Sequence, residues 1–236
     1  MRKELVMHLI SCTIAALLII GTIGCGQNET EKPAEVPIPS SSTKVSDWMT
    51  LFDGTGFNEW DMDKTGGWII ENGTMVLSDG GSIWSKQRFG DFELDLDFKV
   101  SAECNSGIFF RTGNLKDPVQ TGIEMQVLDS AGKANPDKHD SGAMYDLLEP
   151  DTNAMKPAGE WNHVTIICKG SLISVVMNEK IIIDMDVDQW TTPHLNPDGT
   201  ENKFTTALKD FPREGHIGFQ DHGHPVWYRH VKIRKL

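Results

Sequence analysis

The chain is short of cysteine, of basic charge and of long helical stripes, and each shortage closes off a class of protein. Its four cysteines, Cys12, Cys25, Cys104 and Cys168, have no spacing that suits a zinc site. Lysine and arginine number 22 against 34 aspartates and glutamates, giving a formal net charge of −12. An acidic chain is a poor partner for nucleic acid or anionic lipid surfaces, so no nucleic acid is expected to bind. The charges are scattered along the chain, as on an ordinary solvated surface.

The conspicuous apolar run lies at the start, in MRKELVMHLISCTIAALLIIGTIGC, where Arg2 and Lys3 precede it and Gly24 and Cys25 end it. The run is shorter than the ~20 residues a spanning helix needs, and its layout is that of a bacterial export signal. Small Gly24 directly before Cys25 resembles a lipoprotein cleavage site, which makes Cys25 the lipidated first residue. Residues 1–24 therefore read as a lipoprotein signal peptide. Residues 25–46, rich in Pro, Ser and Glu with almost nothing to bury, read as a disordered tether. The expectation is an exported bacterial lipoprotein, anchored to a membrane through its lipid and facing the periplasm or the cell surface. The folded domain is 47–236, long enough for one substantial core. Cys104 and Cys168 remain in it; Cys168 shares the apolar parity of Val164 and Ile166, which favours a packed free thiol over a disulfide.

Within the domain, period-two alternation recurs. FELDLDFKV places Phe92, Leu94, Leu96, Phe98 and Val100 on one face and Glu93, Asp95, Asp97 and Lys99 on the other. Further strands are expected in WMTLF, GWIIENGTMVLS with a turn at Asn72 and Gly73, SGIFFR, GIEMQVLD, WNHVTIICKG, LISVVMNEKIIIDM with a turn near Asn178, HIGFQ and VKIRKL. Short strands joined by Gly, Asn and Pro turns indicate an all-β antiparallel sandwich. Residues 129–160 and 187–214 read as long loops, and loops of that length in a compact domain usually have a task.

Parity then sorts the polar residues. In GIEMQVLD, Ile123, Met125 and Val127 face one way and Glu124 and Gln126 the other. If Ile108, Phe110, Ile217 and Phe219 enter the core, Arg111, Gln220 and His222 join Glu124 and Gln126 on wet, non-core faces. Taken singly, Glu124 is an ordinary solvated strand residue, and Arg111 is a partner for Asp95 or Asp97. Arg229 reads as a half-buried carboxylate partner or a bulge residue. Asp221, His222 and His224 lack the further ligand that a metal site needs, and Trp227 is a residue that could stack on a sugar ring.

Seven segments in order, LFDGTGFNEW, GDFELDLDFKV, NSGIFFR, GIEMQVLD, KHDSGAMYDL, KPAGEWNHVTI and GHIGFQDHGHPVWYRHVKI, resemble the successive motifs of the 3-keto-disaccharide hydrolase domain family, also described as a 3-keto-glucoside 1,2-lyase and 2-hydroxy-glucal hydratase domain. The resemblance implies a concanavalin-A-like jelly roll of two curved antiparallel sheets, with sugar bound on the concave face. It also implies a small-molecule or oligosaccharide substrate whose C3 hydroxyl a separate glucoside 3-dehydrogenase has oxidised. A C3 ketone acidifies the C2 proton, so a base removes it as the C1 substituent leaves, and water then adds back. On this resemblance Glu124 and His139 are expected to transfer protons, and Arg111 and His222 to hold oxygens. Gln126 and Gln220 are expected to orient hydroxyls, with Tyr145 in the same cleft and Trp227 on the sugar. No cofactor is implied, and a divalent metal stays open. Two other readings stand beside it. Glu124, Gln126 and Asp129 have the spacing of the Glu-x-Asp-x-x-Glu strand of laminarinase-type glycoside hydrolases, with Gln and Asp replacing the second and third acids. The fold also hosts non-catalytic, lectin-like binding modules.

Overall fold

The structure, a computed structural model, describes residues 47–236. The signal segment 1–24, Cys25 and the tether to residue 46 lie outside the described residues. Thirteen strands form the domain. They are β1 (Met49–Phe52), β2 (Trp60–Met62), β3 (Trp68–Glu71), β4 (Thr74–Leu77), β5 (Ile83–Phe89), β6 (Phe92–Val100), β7 (Asn105–Thr112), β8 (Ile123–Leu128), β9 (Asn162–Lys169), β10 (Leu172–Met177), β11 (Lys180–Asp186), β12 (Gly215–Phe219) and β13 (Val226–Lys235). All pairs are antiparallel. One sheet has the order β11-β10-β9-β6-β13-β4-β3 with β1 also on β13, and the other the order β2-β5-β12-β7-β8. The architecture is a jelly-roll sandwich, as the alternation requires: apolar faces of two antiparallel sheets must cover one another.

The strands expected from the alternation form at those places, and β6 alternates between buried and half-buried residues along its whole length. The turns at Asn72-Gly73 and Asn178-Glu179 have positive φ at both residues, the geometry that closes two-residue hairpins. The alternation missed β2 and most of β5, which are short or irregular. The two sheets are riveted by Phe219 of β12 and Tyr228 of β13, whose rings stack at 3.9 Å; the Tyr228 hydroxyl lies 3.1 Å from Ser106 Oγ of β7. Cys104 and Cys168 are free and fully buried, and burial pushes the Cys168 thiol up to about 12. The expected Arg229 pairing forms: its Nε donates to Asp97 at 3.0 Å, beside a register shift in β13.

Arg111 corrects the parity argument. Between Phe109 and Thr112, β7 carries one residue more than β12 does between Gly218 and His216, and Arg111 itself has φ +52°. A bulge with a left-handed residue reverses the side-chain direction, so Arg111 leaves the face that alternation assigns to it. It is 1% exposed and donates to the Gly90 carbonyl (3.0 Å), the Gly170 carbonyl (2.8 Å) and Asp91 Oδ1 (3.1 Å). It therefore ties the β5–β6 and β9–β10 turns together and is not a substrate ligand. Arg111→Met is expected to cost about 2 kcal/mol of stability, because two part-buried hydrogen bonds to carbonyls and one to the Asp91 carboxylate are lost together. A melting temperature close to wild type would show that the clamp is dispensable.

Trp227 is the second correction. Val226 and Tyr228 point into the core, so Trp227 lies on the outer face of the eight-stranded sheet, where it pairs in register with Lys99 and Val76. Glu124 belongs to the other sheet.

Candidate active site

Glu124 and Gln126 occupy alternate positions on β8, turned away from the core that takes Ile123, Met125 and Val127. As a sheet edge, β8 would leave backbone groups unpaired. The segment 142–145 pairs with it: the Tyr145 N–H donates to the Glu124 carbonyl (2.9 Å), the Gln126 N–H to Ala143 (2.9 Å) and the Gly142 N–H to Gln126 (2.8 Å). This pairing fixes Tyr145 beside Glu124 and makes the polar face of β8 buried, where the sequence pattern suggested a wet one. Glu124 is 7% exposed and Gln126 3%.

These residues line a cavity of about 130 Å³ together with Asn105, Val119, Lys203, Gln220 and His222. Gln126 Nε2 donates to Asn105 Oδ1 at 3.3 Å. Gln220 is held through its backbone, its N–H on the Gly107 carbonyl (2.9 Å) and its carbonyl receiving Ser106 Oγ (2.8 Å). Gly107 makes room for the carboxylate: a Cβ there would sit 2.0 Å from Glu124 Oε1. Larger clefts exist elsewhere, one of about 280 Å³ near Trp190 and Met185. The smaller cavity is the better site because it alone of the two holds a buried carboxyl with a shifted pKa.

Lys203 was not among the expected site residues. It comes from the long loop 187–214, and the backbone on both sides of its side chain is fastened. Its N–H donates to Asp146 Oδ2 (2.7 Å), and its carbonyl receives Gln120 Nε2 (3.1 Å). The ammonium lies 3.8 Å from the Tyr145 ring centroid. The loop's length announced a task, but nothing in the sequence singled out this lysine. Lys203 stands where parity had placed Arg111, as the cation of the site.

The electrostatics follow from burial. Glu124 is pushed up to about 7 by loss of solvent, opposed by the charge of Lys203, and among the described residues no hydrogen bond reaches its carboxylate oxygens. Burial drives the Lys203 amine below the ordinary lysine range, against the pull of Glu124 and Asp146. Tyr145 is raised, first by burial and then by the Glu124 and Asp146 charges. A carboxyl poised near neutrality, a cation and a phenol around one small cavity are the components of proton transfer at carbon.

His139 is adjacent, not inside. Its ring is 55% exposed, meets Tyr145 edge-on at 5.0 Å and lies 3.3 Å from Asp146 Oδ1. Asp129 accepts the Glu103 N–H at 3.0 Å and does not line the cavity, so β8 supplies no second carboxylate to it. Among the described residues no group of three or more His, Cys, Asp or Glu side chains is placed to hold a metal ion.

Comparison with known proteins adds what geometry leaves open. The profile of the 3-keto-alpha-glucoside-1,2-lyase-like domain matches residues 47–234, nearly all of the described domain. The chain belongs to this family. A curated relative from Bacteroides thetaiotaomicron, a 3-keto-disaccharide hydrolase, is 28% identical over 98% of this chain and 99% of its own. A solved protein from Parabacteroides distasonis that carries a provisional glycosyl hydrolase name is 33% identical, with TM-score 0.74 over 80% of this chain and 99% of that one. β-Agarase B from Zobellia galactanivorans, 11% identical with TM-score 0.50 over 84% and 97%, shares the jelly-roll fold alone. In this 3-keto-glucoside lyase-like domain, an enzyme of the glycoside-processing kind, Glu124 and its surroundings form the candidate active site.

Proposed function

We propose that the domain cleaves the glycosidic bond of 3-keto-glycosides by elimination and rehydration, with Glu124 as the base. The observation that carries the proposal is the Glu124 carboxyl, buried in a cavity with Lys203 and raised to about 7, where it is substantially ionised at neutral pH and still basic enough to accept a carbon-bound proton. Glu124 takes the C2 proton made acidic by the C3 ketone. Electron density moves to the C3 oxygen, which Lys203 and Tyr145 are placed to stabilise, and then returns to break the C1–O bond. The leaving oxygen takes a proton, and water adds across the C1–C2 double bond, hydroxyl to C1 and proton to C2, so the net reaction is hydrolysis. Gln126, Gln220 and His222 orient hydroxyls, and His139 acts through Tyr145 and Asp146 at the margin.

The test is release of the aglycone from a glucoside and from its 3-keto form, each with and without chelator. Release confined to the 3-keto form is expected; comparable release from the unoxidised glucoside would overturn the reading. A separate glucoside 3-dehydrogenase then has to supply the substrate.

Export belongs to the same proposal. Cys25→Ala is expected to move the protein from the membrane to the soluble fraction with an unchanged melting temperature, since the tether's sequence offers almost nothing apolar to bury. Retention of Cys25→Ala in the membrane fraction would sink the lipoprotein assignment.

A further inference from the structure

The outer face of the eight-stranded sheet carries a second cleft, of about 250 Å³, larger than the Glu124 cavity and on the other sheet of the sandwich. Trp161 and Trp227 line it, and the β3–β4 hairpin contributes Glu71 and Asn72. The Lys99 ammonium sits 4.4 Å from the Trp227 ring centroid and 5.2 Å from that of Trp161, and the Arg229 guanidinium lies 4.0 Å from the Trp161 centroid. Cation–π attraction of this kind positions a charge without consuming its N–H groups. Among the described residues, the Lys99 ammonium makes no ion pair and no hydrogen bond, and Arg229 uses only Nε, on Asp97. Two held cations thus keep most of their donors open, beside one carboxylate and one amide.

We propose that this cleft is a second carbohydrate-binding site, taking a saccharide residue that bears an anionic group such as a uronate. The indole faces covered by Lys99 and Arg229 are closed to direct stacking of a sugar ring. Recognition therefore runs through ammonium and guanidinium donors, which favour a carboxylate or sulfate oxygen over a neutral hydroxyl. Asn72 offers its amide to the sugar's hydroxyls, Glu71 opposes the anionic group as a like charge, and the cleft of about 250 Å³ has room for a saccharide residue around that group. The protein as a whole is acidic, with a formal charge of −12, so attraction is local and fades with salt. Such a site holds the enzyme on an acidic glycan without taking part in bond cleavage, and it does not depend on the 3-keto chemistry proposed for Glu124.

The experiment is titration of the whole protein, by calorimetry and tryptophan fluorescence, with trigalacturonate, a neutral glucose trisaccharide and inorganic sulfate. Trigalacturonate is expected to bind and to weaken as salt is added. Lys99→Met should weaken it about tenfold, the loss of one charge-assisted contact. Glu71→Gln, which removes the like charge, should tighten it, a gain that misfolding cannot mimic. Turnover of a 3-keto-glucoside should be unchanged in Lys99→Met. The proposal fails if trigalacturonate does not bind, if Lys99→Met binds it equally well, if the neutral trisaccharide binds as tightly, or if sulfate alone matches it.

Discussion

Glu124→Gln is expected to lower turnover of a 3-keto-glucoside by about 10² or more, the usual scale for a positioned acid–base group, while making the protein more stable at alkaline pH. The two effects share one cause. Burial holds the Glu124 carboxyl at about 7 against an ordinary value of 4.5. Below pH 4.5 the group is protonated both folded and unfolded, and it leaves stability unaffected by pH. As pH rises the unfolded chain ionises first, so native stability falls until the folded group has ionised as well, near pH 7. A shift of this size corresponds to about 3 kcal/mol above pH 7, at roughly 1.4 kcal/mol per pH unit. Gln keeps the shape and removes the charge. Its melting temperature should therefore match wild type near pH 4 and exceed it at pH 8. For the wild-type enzyme, kcat/KM should rise with pH through about 7 as the base ionises, then fall where Lys203 loses its proton, below the ordinary lysine range. A Glu124→Gln protein with near-normal turnover would remove Glu124 from the mechanism and leave His139 as the leading base.

Gly107→Ala should be nearly as damaging to turnover, at a small cost to the fold. The new Cβ would lie 2.0 Å from Glu124 Oε1 and 2.8 Å from Cδ. Glu124 Cγ would also lie at 2.8 Å, so the conflict is relieved by swinging the Glu124 side chain aside from Cγ outward and not by moving strands. Displacement of a reacting group by about 1 Å costs on the order of 10² in rate. The lost stability should stay within about 1 kcal/mol, because Ala also restricts the unfolded chain. The decisive measurement is the double variant. If Gly107→Ala acts by moving Glu124, it has little further effect on turnover once Glu124 is already Gln; additive losses would mean that Gly107 matters for some other reason.

What the sequence alone determined is the sandwich and the polar face of the strand that carries Glu124. Alternation in FELDLDFKV and GIEMQVLD is a local property, and one apolar face per strand dictates two antiparallel sheets closing on each other. The same alternation correctly sent Glu124 and Gln126 to one face and Ile123, Met125 and Val127 to the other, and the ordered motifs pointed to the family. Tertiary structure decided the rest. Parity counts residues, and a single bulge in β7 sufficed to turn Arg111 from an expected substrate ligand into a buried clamp on Gly90, Gly170 and Asp91. Parity also names a face but not a sheet, so it could not place Trp227 on the opposite side of the molecule from Glu124. The cation of the site arrives from Lys203, about eighty residues from Glu124 in a loop with no periodicity, and only the Asp146 and Gln120 contacts bring it over Tyr145. The shifted proton affinity of Glu124 is tertiary for the same reason: a strand pattern marks a polar face, while its burial depends on segment 142–145 covering the edge of β8 and on Lys203 closing over it.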